Sequence, residues 1–191
     1  MGILIKNGTI VSAADKYVGD VYCDGDKIVA VGTGVEKQNA SDVVIDASGQ
    51  FVFPGGVDAH VHMELPFMGT ESSDDFETGT AAGVAGGTTS IIDFVIPARG
   101  QDLLDGLAIW KEKARKAVAD YGFHMAVTWW GDKTREQMHQ CVREEGIPSF
   151  KTFMAYRGAI GVDDVELVNI METARDAGGL VTVHAEHGDV V

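Results

Sequence analysis

The chain has 191 residues, of which 45% are hydrophobic, so it carries enough apolar side chain for a packed core. Fifteen Lys and Arg stand against 29 Asp and Glu, and the formal net charge is −14. Because that charge repels phosphate backbones and anionic membrane surfaces, we expect neither nucleic acid nor a membrane as partner. No stretch approaches the roughly 20 apolar residues of a membrane span, and we expect a cytoplasmic protein.

Residues 1–53 consist of short apolar runs separated by turn residues, which predicts a small all-β module. Asn7-Gly8 and Asp24-Gly25 lie between such runs, and both residue pairs tolerate the positive φ angles of tight hairpins. We therefore predict a hairpin at each pair. Cys23 and Cys141 are far apart and belong to no CxxC motif, so we expect two free thiols.

After Pro54 the pattern changes to alternating strands and helices. The predicted strands are VDAHVHM, TTSIIDFVI, YGFHMAVTWW, SFKTFMA and LVTVHAE. The predicted helices between them cover residues near 73–86, 102–119, 133–145 and 163–177. Strict βα alternation is typical of a parallel sheet or a barrel.

Two histidines mark the end of the first of these strands. The two-residue period of a strand places Asp58, His60 and His62 on one face, so two imidazoles can point at the same metal ion. In βα barrels the functional residues lie at the carboxyl ends of the strands, which is where these histidines are. An HxH pattern alone is common, and surface or core histidines remain an alternative.

Lys151 lies in the otherwise apolar fourth strand of this series. An ammonium ion is costly to bury, so an arbitrary lysine would be expected to reach solvent. Beside two divalent cations, however, the amine would lose its proton and could add carbon dioxide, giving a carbamate that bridges both metals. His184 ends the fifth strand at the same rim, although a single strand histidine is often structural.

The segments FPGGVDAHVH, AGGTTSIIDFVIP, SFKTFMAYRG and VHAEHGD together resemble, in order and spacing, the signature segments of the dihydropyrimidinase and hydantoinase family. The resemblance covers essentially the whole chain. It implies a (β/α)8 TIM-type barrel, of which about the first five strands are present in residues 54–191. Residues 1–53 would be the N-terminal part of a small β-sandwich domain.

The same resemblance implies the roles of individual residues. His60 and His62 would bind one of two divalent metal ions, usually zinc in this family, His184 would bind the other, and Lys151, carboxylated by CO2, would bridge them. Tyr156 would be the catalytic residue that donates a hydrogen bond to the substrate oxygen. The pocket lining would include Met63, Leu65, Phe67 and Phe153.

The activity implied is ring opening of a dihydropyrimidine or hydantoin by a metal-bridging hydroxide. The partners implied are a small cyclic ureide and, at full length, three further copies in a homotetramer. One departure from the family pattern is His187, which stands where related sequences have Asn, and it leaves the substrate preference open.

Two alternatives share much of this pattern. Allantoinases and dihydroorotases have the same barrel, HxH pair and lysine, although the MAYRG segment with Tyr156 favours the dihydropyrimidinase branch. Non-catalytic dihydropyrimidinase-related scaffold proteins keep the fold but lack the metal ligands. The resemblance also places a further metal-binding His and an Asp that acts as general acid and base beyond Val191. We therefore expect the 191 residues alone to be inactive.

Overall fold

The computed structural model describes residues 1–67 and 69–190. By its contacts the chain forms two compact units, Met1–Gly55 and Gly56–Val191. Within the described part of the chain, no helix is both long enough and apolar enough to cross a bilayer.

The first unit is a five-stranded sheet. Its strands are β1 (Gly2–Val11), β2 (Lys16–Asp24), β3 (Lys27–Gly32), β4 (Val43–Asp46) and β5 (Phe51–Val52). They pair in the order β3-β2-β1-β4, and β5 also pairs with β1. The β1–β2 and β2–β3 pairs are antiparallel, whereas β4 and β5 run parallel to β1.

The hairpin predicted at Asp24-Gly25 is confirmed, because β2 and β3 meet there and Gly25 has a φ of 60°. The hairpin predicted at Asn7-Gly8 is wrong. β1 continues through both residues, and its pairing with β2 shifts register between Ile5 and Gly8. Asn7 uses its left-handed φ of 62° to form this bulge, and its N–H donates to Asp20 Oδ1 at 2.9 Å. Asn7 does adopt a positive φ, as its residue type allows, but within a β-bulge and not in a hairpin turn.

The second unit alternates strands and helices, as predicted. Its strands are β6 (Gly56–Val61), β7 (Pro66–Phe67), β8 (Thr70–Glu71), β9 (Thr88–Val95), β10 (Asp120–Ala126), β11 (Ser149–Phe153) and β12 (Leu180–His184). Its helices are α1 (Phe76–Ala85), α2 (Leu103–Ala114), α3 (Thr134–Arg143) and α4 (Asp164–Ala177). Five strands form one sheet in the order β12-β11-β10-β9-β6, with every pair parallel. The short β7 and β8 pair with each other.

Each predicted helix is present, but α2 ends at Ala114, short of the predicted residue 119. The chain turns after the helix so that the Val118 N–H donates to Thr80 Oγ1 at 3.0 Å, and β10 then begins at Asp120. Helical periodicity in the sequence cannot detect a partner on a neighbouring helix, which is why the predicted end was late.

Apolar residues between the helices and the sheet form the core of this unit. They include Phe76, Ile91, Val95, Leu107, Trp110, Met125, Phe150 and Ile170. Asp75 and Asp163 are the N-caps of α1 and α4 and form capping boxes, which fix the residue at which each helix begins.

Candidate metal and substrate site

Three strands of the sheet, β6, β11 and β12, carry the four predicted metal ligands. His60 lies near the end of β6 and His62 follows it, Lys151 lies in β11, and His184 ends β12. A register irregularity between Asp58 and Val61 interrupts the pairing of β6 with β9 at this point. The Asp58 carboxylate accepts a hydrogen bond from the His60 backbone N–H at 3.1 Å, so it shapes the strand end and not an imidazole ring.

Phe94 of β9 is the centre of a first cluster. Its ring centroid lies 4.6 Å from that of His60 and 5.1 Å from that of His62, and the two imidazole centroids are 5.3 Å apart. Lys151 Nζ lies 5.6 Å from the same phenyl ring. The structure therefore brings three of the four predicted metal ligands around one buried aromatic side chain.

Lys151 is 7% exposed, which excludes the alternative of a lysine that reaches solvent. Burial lowers the pKa of its ammonium group, because a charged amine loses hydration there. Its Nζ also lies 5.3 Å from the ring centroid of Phe153. Lys151 thus stands between the Phe94 cluster and a second group of aromatic residues.

That second cluster contains Tyr156, Phe153, Phe67 and His184. The Tyr156 ring centroid lies 5.8 Å from Phe67, 6.3 Å from Phe153 and 5.5 Å from His184. His184 Nε2 is 2.9 Å from Glu186 Oε2. Tyr156 is 39% exposed, so part of the residue is accessible to solvent.

Two predicted pocket residues lie elsewhere. Met63 and Leu65 pack against the hydrophobic core of the unit, and the Met63 side chain covers Gly79 of α1. Of the four candidates for pocket lining, Phe67 and Phe153 are therefore the two found beside Tyr156.

Comparison with known proteins decides the family. The amidohydrolase family model matches residues 51–190. The chain belongs to the amidohydrolase family.

Among curated relatives, it is 47% identical to a D-hydantoinase of Geobacillus stearothermophilus, over 98% of this chain and 40% of that protein. It is 46% identical to a dihydropyrimidinase of Dictyostelium discoideum, over 99% of this chain and 38% of that protein. The crystal structure of a dihydropyrimidinase from Brevibacillus agri NCHU1002 superposes with a TM-score of 0.94 at 48% identity, over 100% of this chain and 41% of that one. This amidohydrolase chain thus spans about 40% of the length of these relatives, and the predicted fold, the first five strands of a TIM-type barrel, is confirmed.

His124 of β10, which from the sequence is expected to be structural or exposed, lies beside the first cluster and has a structural role there. Its ring centroid lies 4.7 Å from Phe94, its Nε2 is 3.1 Å from the Ala59 carbonyl oxygen, and its Nδ1 is 2.5 Å from Ser149 Oγ. Burial, opposed by the contact with Ala59, lowers the pKa of His124. The two contacts connect β6, the strand of His60, to β11, the strand of Lys151.

Asp93 of β9 is a residue beside the site that the sequence alone did not indicate. It is 1% exposed, its Oδ2 accepts from the Met63 N–H at 2.9 Å, and its Oδ1 accepts from the Phe94 N–H at 2.5 Å. Burial raises the pKa of Asp93 to about 7, against the effect of these two hydrogen bonds. The carboxyl group holds the backbone on both sides of the first cluster, next to His62 and at Phe94.

The donor atoms of the first cluster suit a divalent metal ion. Within the described ranges no group of three or more His, Cys, Asp or Glu is assembled as a metal site, so the candidate set is two imidazoles and the Lys151 amine. Burial lowers the pKa of His62, and the neighbouring charges of His60 and Lys151 lower it further. A neutral imidazole is the form that binds metal. His60 and His62 therefore fit as one ligand pair, whereas His184 lies in the second cluster, beside Glu186.

Proposed function

We propose that this amidohydrolase opens a cyclic amide, a dihydropyrimidine or a hydantoin, by metal-dependent hydrolysis. The observation that carries the proposal is the convergence of His60, His62 and the buried Lys151, from β6 and β11, around Phe94 of β9. The names of the relatives, D-hydantoinase and dihydropyrimidinase, support the same reaction class.

His60 and His62 would hold one metal ion, His184 would contribute to a second, and Lys151 as a carbamate would hold both. When bound, divalent ions of this kind polarise an amide carbonyl and lower the pKa of water. Zinc fits imidazole donors with an open coordination position. The Phe94 ring is buried beside the two imidazoles, whereas His60 and His62 are themselves exposed.

Tyr156 would meet the charge that develops on the substrate oxygen. Its ring packs near those of Phe67 and His184, and its phenol hydroxyl is a hydrogen-bond donor. A donor placed where negative charge develops lowers the barrier to acyl transfer. Phe67 and Phe153, whose rings lie near that of Tyr156, would contact the apolar part of the substrate ring or its substituent.

The test is the variant Lys151→Ala in the natural protein, with metal content measured by mass spectrometry and turnover measured on dihydrouracil and hydantoin. We expect loss of bound metal and of turnover, and we expect a short-chain carboxylic acid to restore part of the turnover by supplying the missing bridge. Lys133→Ala is the matched control, because the Lys133 side chain is 73% exposed and pairs with Asp102 at the surface.

Two metal ions per chain and full turnover in Lys151→Ala would refute the metal-bridging role. A parental protein that binds about zero metal per chain would instead indicate a non-catalytic scaffold. A panel of five- and six-membered cyclic ureides separates hydantoin and dihydropyrimidine hydrolysis from allantoin and dihydroorotate hydrolysis.

A further inference from the structure

The loop that follows β11 holds Tyr156 in an unusual backbone conformation. Tyr156 has a φ of 59°, in the left-handed region that residues with side chains seldom adopt. Its carbonyl oxygen accepts from the N–H groups of Ala159 at 3.1 Å and Gly161 at 3.0 Å, and Val162 N–H donates to Phe153 O at 2.9 Å. The loop therefore closes on itself, and its backbone bonds fix the direction of the tyrosine side chain.

Gly161 is the residue on which this closure depends. It is buried, and a Cβ at this position would clash with Ala155 O and lie 2.9 Å from the Tyr156 carbonyl carbon. Its N–H is bonded to Tyr156, which leaves its carbonyl oxygen to be held by another part of the chain.

Arg99, from the loop after β9, holds that carbonyl. Its Nη1 donates to Gly161 O at 3.3 Å and to Thr128 O at 3.1 Å, and its Nη2 pairs with Glu166 Oε1 at 3.1 Å. A guanidinium group can bond several acceptors at once because it carries five N–H donors, whose directions its planar geometry fixes. The Arg99 side chain is 45% exposed, so its position is set by these hydrogen bonds and not by burial.

Glu166 in turn fixes the guanidinium. Its side chain is 14% exposed, its Oε1 also accepts from the Trp130 N–H at 3.1 Å, and its Oε2 accepts from the Asp163 N–H at 2.9 Å. The pair thus connects the loops that follow β9, β10 and β11 with the first turn of α4. Each of these loops leaves the rim at which Tyr156 stands.

We propose that Arg99, oriented by Glu166, is a positioning residue for Tyr156 in the hydrolysis proposed above. Among the described residues its hydrogen bonds go to Thr128, Gly161 and Glu166, and it acts through Gly161 on the Tyr156 backbone. This inference rests on the proposed function, since it assigns Arg99 an effect only if the Tyr156 hydroxyl takes part in turnover.

A double-mutant cycle in the natural protein tests it, with Arg99→Gln, Tyr156→Phe and both changes together. We expect Tyr156→Phe to lower kcat by about a hundredfold, the typical effect of removing one oxyanion donor. Arg99→Gln should lower kcat by about tenfold or more, with metal content unchanged and KM altered by less than about threefold. In the Tyr156→Phe background the same change should lower kcat by less than about twofold.

The control is Arg175→Gln, because Arg175 pairs with Asp176 on the exposed side of α4 and its side chain is 72% exposed. It should leave kcat unchanged in both backgrounds. Glu166→Gln weakens the same contact from the other side. If Arg99→Gln lowers the soluble yield, the kcat of Glu166→Gln tests the positioning role in its place. Glu166→Gln should also lower kcat only when Tyr156 is present.

An equal loss of kcat from Arg99→Gln in both backgrounds would mean a general structural role and would overturn the inference. Full activity of Arg99→Gln, with Tyr156→Phe impaired, would overturn it while leaving the proposed function intact. Unchanged turnover in Tyr156→Phe would overturn both this inference and the role proposed for the tyrosine.

Discussion

Replacing Gly161 with Ala tests how closely the Tyr156 loop is packed. The added Cβ would clash with the Ala155 carbonyl oxygen and would lie 2.9 Å from the Tyr156 carbonyl carbon and 3.0 Å from Arg157 N, whereas ordinary contacts begin at 3.4 Å. All three atoms belong to the backbone, so no side chain can rotate away and the loop itself has to shift by roughly 1 Å. Overpacking of this kind costs about 1–3 kcal/mol.

The larger effect should be on turnover. A displacement of about 1 Å in a group that meets the transition state can lower the rate about a hundredfold. We therefore expect kcat for dihydrouracil or hydantoin to fall by roughly ten- to a hundredfold, with metal content unchanged, because His60, His62, Lys151 and His184 all lie outside the loop. The assay is steady-state hydrolysis beside metal analysis and thermal unfolding of the same preparations.

The matched control is Gly83→Ala in α1, where the nearest atoms to an added Cβ belong to Thr88, from 3.7 Å outward. Alanine is favoured over glycine in a helix by about 1 kcal/mol, so this variant should be at least as stable as the parent and fully active. If Gly161→Ala were as active and as stable as Gly83→Ala, the loop would have to accommodate a methyl group, and the argument for a tightly held Tyr156 would fail.

Three further predictions concern ionisable groups. Burial raises the pKa of Asp93 to about 7, so the stability contributed by its protonated carboxyl is complete below the usual pKa of 3.8 and is lost as the pH rises towards 7. Asp93→Asn should therefore reduce the fall in melting temperature between pH 4 and 7. Burial of Asp42 opposes its ionisation, but hydrogen bonds from Tyr22 and from backbone N–H groups lower the pKa of this carboxyl below 3.8. Asp42→Asn should therefore destabilise the first unit at pH 7 and progressively less below pH 4. Hydrogen exchange in β1 and β2 measures this loss of stability. Burial raises the pKa of Cys141 to about 12, and mass spectrometry should find its thiol unmodified by iodoacetamide at pH 8 until the protein is unfolded.

Much of the fold follows from residue order, because a period of two and a period of 3.6 each leave a visible pattern along the chain. The positions of His60, His62 and Lys151 were also predictable, since polar residues at the ends of apolar strands stand out. Phe94 was not, because one phenylalanine in an apolar strand gives no sign that histidines will pack on it.

The Arg99 contacts could not have been found in the sequence either. Gly161 and Glu166, its partners, lie 62 and 67 residues further along the chain, and only the folded sheet brings them together. Met63 and Leu65 illustrate the converse. Their place after the first barrel strand suggested a pocket, but the chain turns them towards the helices, where they add to the core.

The neighbours Asp93 and Phe94 face opposite layers of the second unit. The Asp93 carboxyl group lies on the helix side, within the electrostatic reach of Lys113 of α2, and the Phe94 ring lies under the imidazoles on the other side. A strand that gains or loses one residue reverses the face of every side chain beyond the change. An insertion within residues 91–93 would therefore put the phenyl ring among the helices and the acid beneath the histidines. The same insertion at Gly86-Gly87, where the chain turns between α1 and β9, could be absorbed without altering the strand. Natural length variation among homologous chains should accordingly be found at such turns and be absent from the centre of β9.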